Sequence, residues 1–161
     1  MKDELTELLN PEAFRLLVEH ELLVARRLKR VDTLLFIDVD NLQSVNESFD
    51  RAAGDETLRA IARLLRRTAR ESDIIARLGG DEFAVFALGC AGDALANRIS
   101  AAVAGAAETA SEATIRELSV GMSIGITEVR PGEQFDELMA RCGPAIFNRG
   151  KQGQEVQPSA S

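Results

Sequence analysis

The sequence has no tryptophan, no tyrosine, one histidine and two cysteines. Its aromatic content is 4%, all of it phenylalanine, and its formal net charge is −7. A binder of nucleic-acid polymers needs a basic face and rings on which bases can stack. Both scarcities therefore exclude that class, while leaving a single nucleotide open as a ligand. The lone His20 stands one helical step from Leu16 and Leu23, with no cysteine or second histidine near it in sequence. It reads as a helix-border residue, and no Ser-His-Asp hydrolase set builds around it. Cys90 and Cys142 are far apart and form no C-x-x-C pair. They read as free thiols packed in or near the core of a protein in a reducing compartment. No apolar run approaches the ~20 residues that span a bilayer. The acidic, polar start MKDELTELL shows no signal peptide, so the expected location is the cytoplasm.

What is present describes one globular domain. The chain has 161 residues, 45% apolar and 28% charged, a balance typical of soluble proteins. A domain of this size buries roughly two thirds of its unfolded surface and needs no disulfide or structural metal to fold.

The pattern alternates between helix and strand. Asn10-Pro11 reads as an N-cap and first-turn proline, with Phe14, Val18, Leu22 and Ala25 following at helical spacing. The run from Thr33 to Asp40, TLLFIDVD, predicts a central strand buried on both faces and ending in acids. A helix over about Ala53–Arg70 turns Leu58, Ile61 and Leu65 inward and a row of arginines outward. Strands are expected near Asp73–Leu78 and Glu82–Leu88, with Gly79-Gly80 as a hairpin turn in which glycine accepts positive φ. An alanine-rich helix (91–108), a strand (117–129) and a last helix (134–147) complete an α-β-α-β-β-α-β-α order. That order predicts an α/β fold with a mixed central sheet flanked by helices.

The acids carry the chemistry. Asp38 and Asp40 are two apart, so both point to one face at the C-terminal end of a strand. That is where open α/β sheets place ligands. Two carboxylates held together call for a cation, and oxygen donors suit Mg²⁺ or Mn²⁺ with phosphates completing the shell. A metal role is favoured for Asp38, while Asp40 serves equally well as a helix cap. A plain hairpin explains Gly79 and Gly80, but not the adjacent acids Asp81 and Glu82. Alternation puts one of those acids on each face of the hairpin, where one can join Asp38 at a metal.

Arg77-Leu-Gly-Gly-Asp-Glu-Phe83 resembles the signature of the GGDEF domains, the diguanylate cyclases. Asp3-Glu-Leu-Thr-Glu-Leu-Leu-Asn10, continuing to Phe14, resembles that family's opening motif D-x-L-T-G-L-x-N-R-R-x-F. Phe36-Ile-Asp-Val-Asp40 resembles its metal-binding strand. Asn46 and Gly54-Asp55 fall at its further offsets, and Ser123-Ile-Gly-Ile126 resembles its late S-I-G strand. The resemblance spans about residues 3–153 and implies a nucleotidyl cyclase-like GGDEF domain over 1–154, with a polar tail at 155–161.

The resemblance implies condensation of two GTP molecules into cyclic di-GMP and pyrophosphate by a Mg²⁺-dependent homodimer, with Mn²⁺ as the other metal. A sensor domain or partner controls that dimer in the family. Asp38, Asp81 and the Val39 carbonyl are implied metal ligands. Asp81 or Glu82 is implied as proton acceptor. Asn46 and Asp55 are implied to read guanine, with Gly79 and Gly80 also lining the substrate. Arg70-Glu-Ser-Asp73 has the spacing of the family's R-x-x-D site, which implies product binding by Arg70 and Asp73.

The sequence also departs from the pattern. Gln43 replaces a lysine, Asp50-Arg51 replaces Gly-His, and Gly143 replaces an acid. Gly150 and Gln154 stand where the family carries the lysine and arginine that grip the triphosphate, with Arg149 and Lys151 flanking the lost lysine. The alternative expectation is therefore a regulatory domain that binds GTP or cyclic di-GMP without turnover.

Overall fold

The computed structural model describes residues 1–39, 51–106 and 122–142. Helix α1 (Pro11–Leu28) starts where the N-cap signal places it. The Asn10 side chain accepts from the Ala13 amide at 2.9 Å, and Lys29 ends the helix with a left-handed φ of 55°. Strand β1 (Thr33–Val39) follows, then α2 (Arg51–Thr68), β2 (Ile74–Arg77), β3 (Glu82–Ala87), α3 (Gly92–Ala106), β4 (Met122–Glu128) and a helix α4 over 135–142.

The strands form one sheet in the order β2-β3-β1-β4. With β3 on one side and β4 on the other, β1 is an inner strand, and its unbroken apolar run fills both faces. Leu35, Ile37 and Val39 pack with Leu58, Ile61 and Leu65 of α2 and Leu95 and Ile99 of α3. Leu34 and Phe36 pack on the opposite face with Phe14, Val18 and Leu22 of α1 and Leu138 and Cys142 of α4. The result is three layers, with a helix pair on each side of the sheet. The expected α/β class and flanking helices hold. The named strand pairs are all antiparallel, however, rather than mixed. Periodicity identifies strands but not their neighbours, so the direction of each pairing was beyond its reach.

His20 lies exposed on α1, and Cys90 and Cys142 are buried free thiols. Among the described residues no helix is long and apolar enough to cross a membrane.

Phe83 closes the signature motif and is fully buried in the α2–α3 side of the core. Phe83→Ala should cost about 3–5 kcal/mol, a large share of the roughly 5–15 kcal/mol that holds a domain folded. A urea titration would show it as a lower midpoint with an unchanged slope.

Candidate functional site

The sheet gathers the acidic candidates at one end. The C-terminus of β1 meets the N-termini of β3 and β4 there, with Asp38 directly opposite Glu82 on one side and Ser123 on the other. Directly paired residues share a face, so Asp38 and Glu82 lie on the α1 side, continuing the rows of Phe36 and Ala84. Asp81 sits in the turn just before β3, and its carbonyl accepts from the Val39 amide at 2.9 Å. Asp38, Asp81 and Glu82 are all half-buried. Alternation alone left open which acid faces Asp38; by register it is Glu82.

The two adjacent acids of the turn bear on each other electrostatically. Burial pushes the Glu82 carboxyl above its ordinary range, and the negative charge of Asp81 pushes it further the same way. A cation at this end of the sheet would relieve both penalties. Among the described residues no three acids, cysteines or histidines form a ready-made metal cage. Mg²⁺ does not need one, because it is commonly bound through one or two carboxylates plus substrate phosphates. Asp38 and the two acids of the turn, Asp81 and Glu82, supply hard oxygen donors of that kind at one end of the sheet.

The turn that presents the acids is not the left-handed hairpin expected from its glycines. Neither Gly79 nor Gly80 has a positive φ. The turn closes instead through the Glu82 carbonyl, which accepts from the Leu78 amide at 2.8 Å and the Gly79 amide at 3.4 Å. A Cβ on Gly79 would stand 3.0 Å from Glu82 Oε1, so a larger residue there would press on the end of the Glu82 side chain. Gly80 faces open space, which leaves room beside the acids. The Arg77 guanidinium spans the turn, donating to the Gly79 carbonyl (3.1 Å) and the Gly80 carbonyl (2.8 Å).

Asp55 lies half-buried on α2. Asp40, Gln43, Asn46, Asp50, Gly143, Gly150 and Gln154 lie outside the described residues.

Arg70 and Asp73 are brought together, but at the opposite end of the sheet. Asp73 precedes β2, and its fully buried carboxylate ties two strand ends. One oxygen accepts from the Arg70 amide at 2.9 Å and the other from the Leu88 amide at 3.1 Å. The half-exposed Arg70 guanidinium donates to the Leu88 carbonyl at 2.6 Å. Sequence reasoning missed Arg98 of α3, whose guanidinium lies 3.8 Å from Asp73 and donates to the Thr68 carbonyl at 3.1 Å. No local pattern links Arg98 to Arg70; only the packing of α3 beside α2 does. The six residues of β3 separate the two ends by about 20 Å.

A family model described as "Diguanylate cyclase, GGDEF domain" matches residues 1–156. The chain is 29% identical over 153 residues to the probable diguanylate cyclase DgcC of Escherichia coli, a match covering 94% of this chain and 41% of DgcC. It thus spans about two fifths of that relative. Among solved structures, the GGDEF domain of TpbB from Pseudomonas aeruginosa is 32% identical with a TM-score of 0.78, covering 94% of this chain and 90% of that one. The GGDEF domain of DgcB from Caulobacter crescentus, solved in complex with c-di-GMP, is 23% identical with a TM-score of 0.82, covering 99% and 96%. At that identity the second likeness is one of fold.

Proposed function

The chain belongs to the GGDEF family of diguanylate cyclases, and on that premise we propose that it condenses two GTP molecules into cyclic di-GMP and two pyrophosphates as a homodimer. The observation that carries this reading is the convergence of Asp38, Asp81 and Glu82 at one end of the sheet, around a turn that leaves space beside Gly80.

In the proposed reaction each GTP is held by one protomer, with Asn46 and Asp55 reading the guanine. A carboxylate accepts from guanine N1–H and N2–H₂, a donor pair that adenine lacks. Asp38, Asp81 and the Val39 carbonyl are the residues that would hold Mg²⁺ or Mn²⁺. The bound metal supplies polarisation of the phosphate and a lower pKa for the attacking hydroxyl. Each 3′-oxygen bonds to the α-phosphorus of the other GTP, the bond from that phosphorus to the β-phosphate's bridging oxygen breaks, and pyrophosphate leaves. The hydroxyl proton passes to a carboxylate. Glu82 suits this role better than Asp81, because burial and its neighbour's charge raise its affinity for a proton. The test is incubation of the chain with GTP and Mg²⁺, followed by chromatography of the nucleotides. Absence of cyclic di-GMP at saturating GTP would overturn the enzymatic reading.

The second reading, a binding domain without turnover, rests on Gly150 and Gln154 at the places of the family's phosphate-gripping lysine and arginine. It predicts that cyclic di-GMP or GTP binds while no product forms. The complex of the DgcB domain with c-di-GMP supports a product site in either case, and here that site is assigned to Arg70 and Asp73. Losing a charge-assisted hydrogen bond costs about 1.5–3 kcal/mol. Arg70→Ala should therefore weaken cyclic di-GMP binding by roughly 10- to 100-fold in a calorimetric titration. Equal affinities would leave Arg70 and Asp73 as a clasp between strand ends only.

A further inference from the structure

The opening motif is the one strong sequence feature with no part in the chemistry above. Its residues fold into a compact loop. Asp3 donates its amide to the Leu8 carbonyl at 2.7 Å, and its own carbonyl accepts from the Glu7 amide at 2.8 Å. Asp3 Oδ2 accepts from both the amide and the hydroxyl of Thr6, each at 2.8 Å. Glu7 closes the loop with a left-handed φ of 64°, at the motif position where the family pattern carries glycine. Such a conformation persists in a non-glycine residue only when its surroundings enforce it.

The loop is fastened to the outer edge of the sheet. Leu9 donates to the Ile75 carbonyl and accepts from the Arg77 amide, at 3.3 and 3.0 Å. Arg66 of α2 holds the Thr6 carbonyl from the other side. The Asp3 carboxylate then meets Arg77 Nη1 at 3.2 and 3.1 Å, with both side chains mostly withdrawn from water. Arg77 is the residue whose two other guanidinium nitrogens hold the Gly79 and Gly80 carbonyls. One planar, rigid fork is thus anchored at Asp3 and grips the turn that carries Asp81 and Glu82.

We propose that Asp3 is a positioning residue for the acidic turn, acting through Arg77 to fix the backbone that presents Asp81 and Glu82. Where turnover is concerned, the proposal rests on the cyclase reading above. A fork held at one end only can pivot on its long side chain, and a displacement of about 1 Å at a reacting group can cost about a hundredfold in rate.

The experiment compares wild type with Asp3→Ala, Asp3→Asn, Arg77→Ala and the double variant Asp3→Ala/Arg77→Ala. Amide hydrogen exchange is read first. Asp3→Ala should speed exchange at Leu78 and Gly79 while leaving the β1–β4 amides protected as in wild type. In turnover with GTP and Mg²⁺, kcat should fall by about 10- to 100-fold with KM changed by less than about twofold. The double variant should be no slower than Arg77→Ala, because Asp3 acts only through that arginine. Asp3→Asn keeps an acceptor for Thr6 but loses the charge facing Arg77. It should fold like wild type and still loosen the turn, which covers the case in which Asp3→Ala fails to fold.

Unchanged exchange at Leu78 and Gly79 would overturn the proposal, as would uniform acceleration across the sheet. So would additive losses of rate in the double variant. If the wild-type chain makes no cyclic di-GMP, the cyclase reading fails by itself, and the exchange pattern alone decides whether Asp3 holds the turn.

Discussion

Asp38→Ala should abolish cyclic di-GMP formation while leaving the fold intact. Asp38 is the penultimate residue of β1, opposite Glu82 and next to Val39, whose amide bonds the Asp81 carbonyl. Removing it takes one of the two carboxylates assigned to the metal. Charge stabilisation by a bound metal is worth several kcal/mol, and each ~1.4 kcal/mol is tenfold in rate. The expected loss is therefore about a hundredfold or more. The core should not feel the change, because Asp38 is only half-buried and the apolar residues that hold β1 end at Val39. Wild-type turnover in Asp38→Ala would remove Asp38 from the metal site. A large fall in melting temperature would assign it to structure instead.

Much of this corner was legible from the sequence. An apolar strand that stops at acids, glycines next to two more acids, and the intervals between them located the residues before any pairing was known. The N-cap at Asn10 and the inward rows Phe14-Val18-Leu22 and Leu58-Ile61-Leu65 were equally plain, because each rests on local geometry and a helical period. What stayed hidden depends on register. Whether Asp81 or Glu82 faces Asp38 turns on a single residue of strand offset, and a one-residue slip exchanges the two faces. The four residues 78–81 between β2 and β3 set that offset, and they do so without the positive φ that their glycines led one to expect. The close approach of Gly79 to the Glu82 carboxylate was also out of reach, since it is visible only once the turn is built. The contacts of Asp3 with Arg77 and of Arg98 with Asp73 join residues 74 and 25 positions apart, and no periodicity connects such pairs.

The two ends of the sheet have different electrostatic characters. At the end that holds Arg70 and Asp73 the Asp73 carboxylate is matched by two backbone amides and lies near two guanidinium groups. At the acidic end the carboxylates crowd one another, and Glu82 is pushed toward its protonated form. A buried carboxylate satisfied by donors holds structure together, while one raised by burial and a like charge is poised to exchange a proton. The same sheet thus separates a structural clasp from an acidic corner across the length of β3.

Glu82→Gln tests that distinction in two independent ways. Burial first, and the Asp81 charge second, raise the Glu82 carboxyl above its ordinary 4.5 in the folded chain. The folded state therefore holds the proton more tightly than the unfolded state does. Protonated Glu82 contributes stability that is fully present below the unfolded value and is lost as pH rises through the folded one. At pH 7 in EDTA the ionised side chain works against folding, so the neutral amide of the Glu82→Gln variant should raise the melting temperature. Below about pH 4 both forms are neutral, and the difference should vanish. A variant less stable than wild type at both pH values would show that Glu82 is held by favourable contacts rather than strained by burial. The second readout is turnover with GTP and Mg²⁺. A positioned general base contributes about 10²–10⁴-fold, and an amide cannot accept the proton, so the rate should fall by that factor. If Glu82→Gln gains stability at pH 7 yet keeps the wild-type rate, the proton goes elsewhere, and Asp81→Asn should then show the loss in its place.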